Sequence, residues 1–174
     1  MSSKKFLNGF ICGLHKTSEE QSSVLDKINR HAEGHFDWQV TVCFYVGVHL
    51  INAYLVKERG MSFNSHVETF DAVNPLNELS PLRLSEENYL AYRKLYNLSR
   101  RARYICTDEE KLKGQDDKVA YLTFDKHLER SVKNLDKLLV FIQNKYGESF
   151  PSLDINLIGI QSSSLQHFKY KRAS

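Results

Sequence analysis

Residues 38–59 read Trp-Gln-Val-Thr-Val-Cys-Phe-Tyr-Val-Gly-Val-His-Leu-Ile-Asn-Ala-Tyr-Leu-Val-Lys-Glu-Arg, and no other stretch limits the fold so tightly. Val40, Phe44, Val48, Ile51 and Leu55 recur at intervals of four, four, three and four residues, the period of an α-helix. A second face carries Trp38, Val42, Tyr45, His49, Asn52 and Val56. A helix that is apolar on two faces must be covered on both, which places it in the middle of a bundle. Asp37 stands where it can cap the start, and Gly60 where it can end the helix. The β-branched residues would also suit a strand, but the run far exceeds the ~5–6 residues of an ordinary one.

The remaining segments supply the cover. Ser18 to about Glu33 predicts a helix with acids in its first turn and Val24, Leu25 and Ile28 on its inner side, stopped by Gly34. A short helix is expected from near Ser65. Ser85-Glu86-Glu87 opens another that runs through Tyr89, Tyr92, Leu95, Tyr96, Leu98 and Ala102 to about Tyr104. Residues 107–118 are charged or small and predict a solvated loop. A last long helix spans about residues 120–146, with Leu122, Leu128, Val132, Leu135, Leu138, Leu139 and Ile142 inside and Gly147 closing it. The tail alternates weakly at Leu153, Ile155 and Leu157 and ends in Lys169, Lys171 and Arg172. The fold expected is all-α: one domain over residues 1–174, a bundle of four to five helices with its core at about 18–146 and an irregular extension at 147–174. At 174 residues and 41 % hydrophobic, the chain can bury a core without disulfides or metals.

Several function classes drop out. Cys12, Cys43 and Cys106 are odd in number and widely spaced, against a disulfide framework or a four-cysteine zinc site. His31 and His35 have the i, i+4 spacing of metal ligands, but Gly34 interrupts the helix, so no metal is assigned. No Gly-rich phosphate loop, nucleophile elbow or Cys/His nucleophile pair occurs, and no cofactor is expected. The basic start followed by apolar residues imitates a signal peptide, but Asn8 and Gly9 break the run. The apolar stretches are read as falling short of the ~20 residues of a membrane span, so no membrane contact and a cytoplasmic location are expected. A net charge of +3 says little about nucleic acid taken whole.

Two stretches resemble a known family. Residues 37–55, beginning Asp-Trp and carrying the Phe44-Tyr45 pair and Ala53, are similar to the first core helix of the HEPN superfamily, the higher eukaryote and prokaryote nucleotide-binding domains. Tyr-Asn-Leu-Ser-Arg-Arg-Ala-Arg-Tyr at 96–104 resembles that family's Leu-x-x-x-Arg-x-x-Ala-x-Tyr signature, and Gly60 with Ser65-His66 resembles its Gly…Ser-His loop. The resemblance covers roughly residues 36–146. It implies a helical bundle that pairs as a dimer and, in catalytic members, a metal-independent ribonuclease whose motif is Arg, four to six residues, then His. Here Arg100, Arg101 and Arg103 are followed by no histidine before His127, so that motif is absent.

Arg100 and Arg103 share a helix face with Tyr96 and Tyr104, and planar guanidiniums beside aromatic rings suit phosphate and base contacts, so these four residues and Arg101 are the candidates for phosphate or nucleic-acid binding. The simpler alternative is that these arginines, with Arg101, answer the negative end of the helix dipole. His49 is a candidate general base for a ribose hydroxyl, and the family resemblance adds His66. Three functions follow as expectations. The foremost is a catalytically degenerate HEPN-like module that binds RNA or a nucleotide and regulates a partner, in a toxin–antitoxin or phage-defence setting. The second is a metal-independent endoribonuclease that uses the arginine cluster with His49 or His66. The third is a structural subunit. A homodimer or a heteromeric protein partner is expected in each case.

Overall fold

The computed structural model describes residues 34–103 and 125–171, together with Ser23. Within residues 34–103 and 125–171, four helices, α1 (Phe36–Arg59), α2 (His66–Val73), α3 (Glu86–Arg103) and α4 (Asp125–Tyr146), are followed by short strands β1 (Leu153–Ile155) and β2 (Phe168–Tyr170). The all-α bundle expected from the apolar spacing is what forms. Ser23 apart, the helix expected at residues 18–33 lies outside the described residues, as do the solvated loop at 107–118 and Leu122.

Helix α1 starts earlier than the sequence suggests. Its N-cap is His35, which makes no side-chain cap bond, and Asp37 lies inside the first turn. Phe36 packs against the core and draws the backbone into helix ahead of Asp37. That carboxylate therefore faces the positive end of the helix dipole instead of capping it. At the other end Gly60 adopts φ 66°, ψ 21° and donates to the Val56 carbonyl at 2.9 Å, a left-handed cap that favours glycine. Helix α2 opens with a reciprocal cap: Ser65 Oγ accepts from the Glu68 backbone N–H at 3.2 Å and donates to its carboxylate at 2.9 Å. Ser85 Oγ accepts from the Asn88 N–H at 3.3 Å at the start of α3.

Glu87 pairs with Lys137 at 2.7 Å, while Arg101 and Arg130 line one groove, so α3 and α4 run antiparallel. Tyr146 donates to Glu58 at 2.7 Å at the far end of α1, making α1 and α4 parallel. Gly47 sets the spacing at the centre. A Cβ there would stand 3.1 Å from Leu95 Cδ1 on α3 and 3.4 Å from Leu138 Cδ1 on α4. Val40, Phe44, Ile51 and Leu55 are fully buried, as their spacing predicts. On the second face Val42 and Val56 are buried, and Tyr45, His49 and Asn52 are half-buried. Trp38 departs from it: in the first turn it is 62 % exposed.

One expectation is corrected. Helix α1 is long and apolar enough to cross a membrane by length and composition, so a stretch of that kind is present after all. Its most apolar 18-residue window is 72 % buried within the fold, as in the core helix of a bundle.

The tail does more than extend the chain. Strands β1 and β2 pair in parallel, Leu153 opposite Phe168 and Ile155 opposite Tyr170. Ile155, Leu157, Ile160 and Phe168 are at most 3 % exposed and belong to the main core. A buried polar cluster ties this segment to α4. Asp136 Oδ1 accepts from the His167 backbone N–H at 2.8 Å and lies 3.1 Å from His167 Nδ1, and Oδ2 accepts from the Gln166 N–H at 3.2 Å. His167 Nε2 lies 2.8 Å from Gln143 Oε1, so both ring nitrogens are partnered.

Candidate phosphate-binding site

Three helices meet at an aromatic cluster that carries one histidine and two arginines. Phe44 and Tyr45 are adjacent on α1, so one enters the core while the other reaches the rim. On α3, Tyr96, Arg100 and Arg103 stand at i, i+4 and i+7 and share a face. The Ser65 cap fixes His66 as the first residue of α2.

Arg103 is the hub. Its Nη1 donates to Tyr45 Oη at 3.2 Å, and its guanidinium carbon lies 5.6 Å from the Tyr45 ring centre and 5.8 Å from that of Phe44. Both are cation–π distances. Arg100 lies 5.7 Å from the Tyr96 ring and is exposed, with no acidic partner among the described residues. The His66 ring meets Phe44 edge-on at 5.1 Å and Tyr96 at 5.9 Å. Burial, and then the Arg103 cation, push the His66 pKa below 6.5. The imidazole is therefore neutral at physiological pH and able to accept a proton. The ensemble offers positive charge on rigid supports, aromatic faces and one neutral imidazole. That inventory suits a phosphate with an attached base or ribose.

His66, Tyr96, Arg100 and Arg103, singled out from the sequence, are thus brought together. His49 is not. It sits on the half-buried face of α1, its pKa lowered by burial, and makes no hydrogen bond, ion pair or ring contact among the described residues. Arg101 turns to the other side of α3, into the groove with Arg130. Tyr104 lies outside the described residues. Spacing alone does not single out Phe44 and Tyr45 as site residues. Their signal in the sequence is the aromatic pair itself, placed one helical turn before His49. Cys43 is no nucleophile, since burial pushes its thiol up to about 12. Among the described residues, no three His, Cys, Asp or Glu side chains gather in a way that could hold a metal ion. No family model, curated protein or solved structure matches the chain.

Proposed function

We propose that the chain is an RNA- or nucleotide-binding regulatory module of HEPN-like build, with Arg100 and Arg103 taking phosphate and Tyr96 stacking on a base. The observation that carries this reading is the Arg103 guanidinium anchored by Tyr45 beside His66, with Arg100 one turn away over Tyr96. Helix capping alone needs cations near the end of α3; it does not need one of them seated against two aromatic rings of α1. Filter retention of a mixed single-stranded RNA pool at low salt tests it. Retention without cleavage products is expected, and no retention at any salt overturns it.

A second reading rests on the juxtaposition of His66 and Arg103. A neutral imidazole can take the 2′-hydroxyl proton while a guanidinium holds the scissile phosphate, which is the chemistry of a metal-independent ribonuclease with its histidine supplied from α2. The same incubation, analysed on a gel, then shows products that persist in chelator and vanish in His66→Gln.

A further inference from the structure

Helix α3 carries Arg93, Lys94, Arg100, Arg101 and Arg103, and no acidic residue occurs from 88 to 103. Lys94, Asn97 and Arg101 stand at i, i+3 and i+7, a stripe on the side of α3 that faces α4. There they line a groove of about 530 Å³ with Leu98, Arg130 and Asn134. Its volume falls within the ~300–1,000 Å³ of small-molecule clefts. Arg93 and Arg100, seven residues apart on the solvent ridge of α3, join this groove to the aromatic site.

Two of the groove's cations, Lys94 and Arg130, are not cancelled by a neighbouring acid among the described residues. Glu129 is engaged by Lys133 and Glu87 by Lys137, so the acids along this edge are occupied by other lysines. No acid among the described residues lines the groove. Asn134 Nδ2 donates to the Arg130 carbonyl at 2.6 Å, which fixes the amide and points Oδ1 as an acceptor. Leu98 gives a half-buried apolar floor. Cations along both walls, amides able to read base edges, and an apolar floor make a single-strand track, not a diffuse basic surface.

We propose that the α3/α4 groove is a second binding site for single-stranded RNA, with Lys94 and Arg130 holding successive phosphates of a strand that continues over Arg100 to the aromatic site. This rests on the RNA-binding function proposed above and extends it to residues outside that site.

The test measures fluorescence anisotropy of a labelled uridine 12-mer with the full chain, over a salt series, for three proteins. They are wild type, Lys94→Ala/Arg130→Ala, and Arg100→Ala/Arg103→Ala. Lys94 and Arg130 are exposed, and melting curves verify folding; Lys94→Arg/Arg130→Lys is the charge-preserving control. The groove variant should bind at least tenfold more weakly. The slope of log K against log salt should also shrink by about 1.4, or ~0.7 for each phosphate that is no longer neutralised. The control should bind like wild type. A groove variant with unchanged affinity and slope, beside an Arg100→Ala/Arg103→Ala variant in which both have fallen, overturns the groove and leaves the aromatic site standing. Weaker binding in the groove variant alone supports the groove and counts against the aromatic site. Absence of wild-type binding overturns both. Polyglutamate of equal length competing as well as the RNA overturns the assignment to RNA.

Discussion

Replacing Asp136 with alanine tests whether the segment after α4 is part of the core. Asp136 is 6 % exposed, and its two oxygens serve the backbone N–H groups of Gln166 and His167 and the His167 ring. Hydrogen bonds to a charged group contribute about 1.5–3 kcal/mol each, though three that share one carboxylate do not add fully. The truncation also strands the buried His167 N–H and leaves the part-buried Gln166 N–H without its acceptor. We expect a loss of about 3–5 kcal/mol, since each donor left unsatisfied costs about 1–3 kcal/mol and more than one is left so. For a domain of this size, that lowers the melting temperature by about 6–20 °C. Because Ile155, Leu157, Ile160 and Phe168 share the core with α1 and α4, release of the tail should unfold the whole. Each of those side chains contributes about 1.5–3 kcal/mol by burial. Far-ultraviolet circular dichroism should therefore show one cooperative transition, displaced to lower temperature. Asp136→Asn, which keeps the volume and one acceptor, should fall between. A melting temperature within about 2 °C of wild type, with the tail removable by limited proteolysis, would refute the reasoning.

Gly47→Val should cost about 1–3 kcal/mol in urea denaturation, since its branches would enter the space held by Leu95 and Leu138. Gly47→Ala should stay within about 1 kcal/mol of wild type, its helix propensity offsetting the tight contacts at 3.1 and 3.4 Å. His66 and His49 both have pKa values below 6.5, so the folded chain binds these protons more weakly than the unfolded chain. Stability should accordingly fall as pH drops below 6.5 toward the folded values and be level above that window, as thermal melts across it will show. In a proton NMR titration, Arg103→Ala should raise the His66 pKa, because it removes the cation beside the ring. No change there would mean that burial alone sets the value.

The long helices can be read from sequence because each combines a 3.6-residue apolar period with a stop: Gly60 after α1 and Gly147, at φ 70°, after α4. Starts are harder. Asp37 looks like a cap but is preceded by Phe36, whose packing against the core carries the helix past it, a tertiary effect that no local pattern reports. The tail is harder still. Strands of three residues give almost no periodicity, and the partner that fixes them, Asp136, lies on a helix 31 residues before His167. For the candidate site, the α3 arginines and Tyr96 are legible through i, i+4 spacing on one element. What the sequence hides is which histidine they meet. His49 and His66 both precede α3, and only the turn of α2 back over Phe44 brings His66 to Tyr96.

The binding isotherm of a single-stranded RNA 12-mer on wild type and on melt-verified Arg100→Ala/Arg103→Ala, repeated over a salt series, tests the central claim most directly. Wild type should show affinity that falls steeply with salt. The double variant should bind at least about a hundredfold more weakly, from two charge-assisted contacts of about 1.5–3 kcal/mol each, with a salt slope smaller by about 1.4. Equal affinity and equal slope in a well-folded double variant would contradict the claim, and the arginines would then be answering only the carbonyl end of α3.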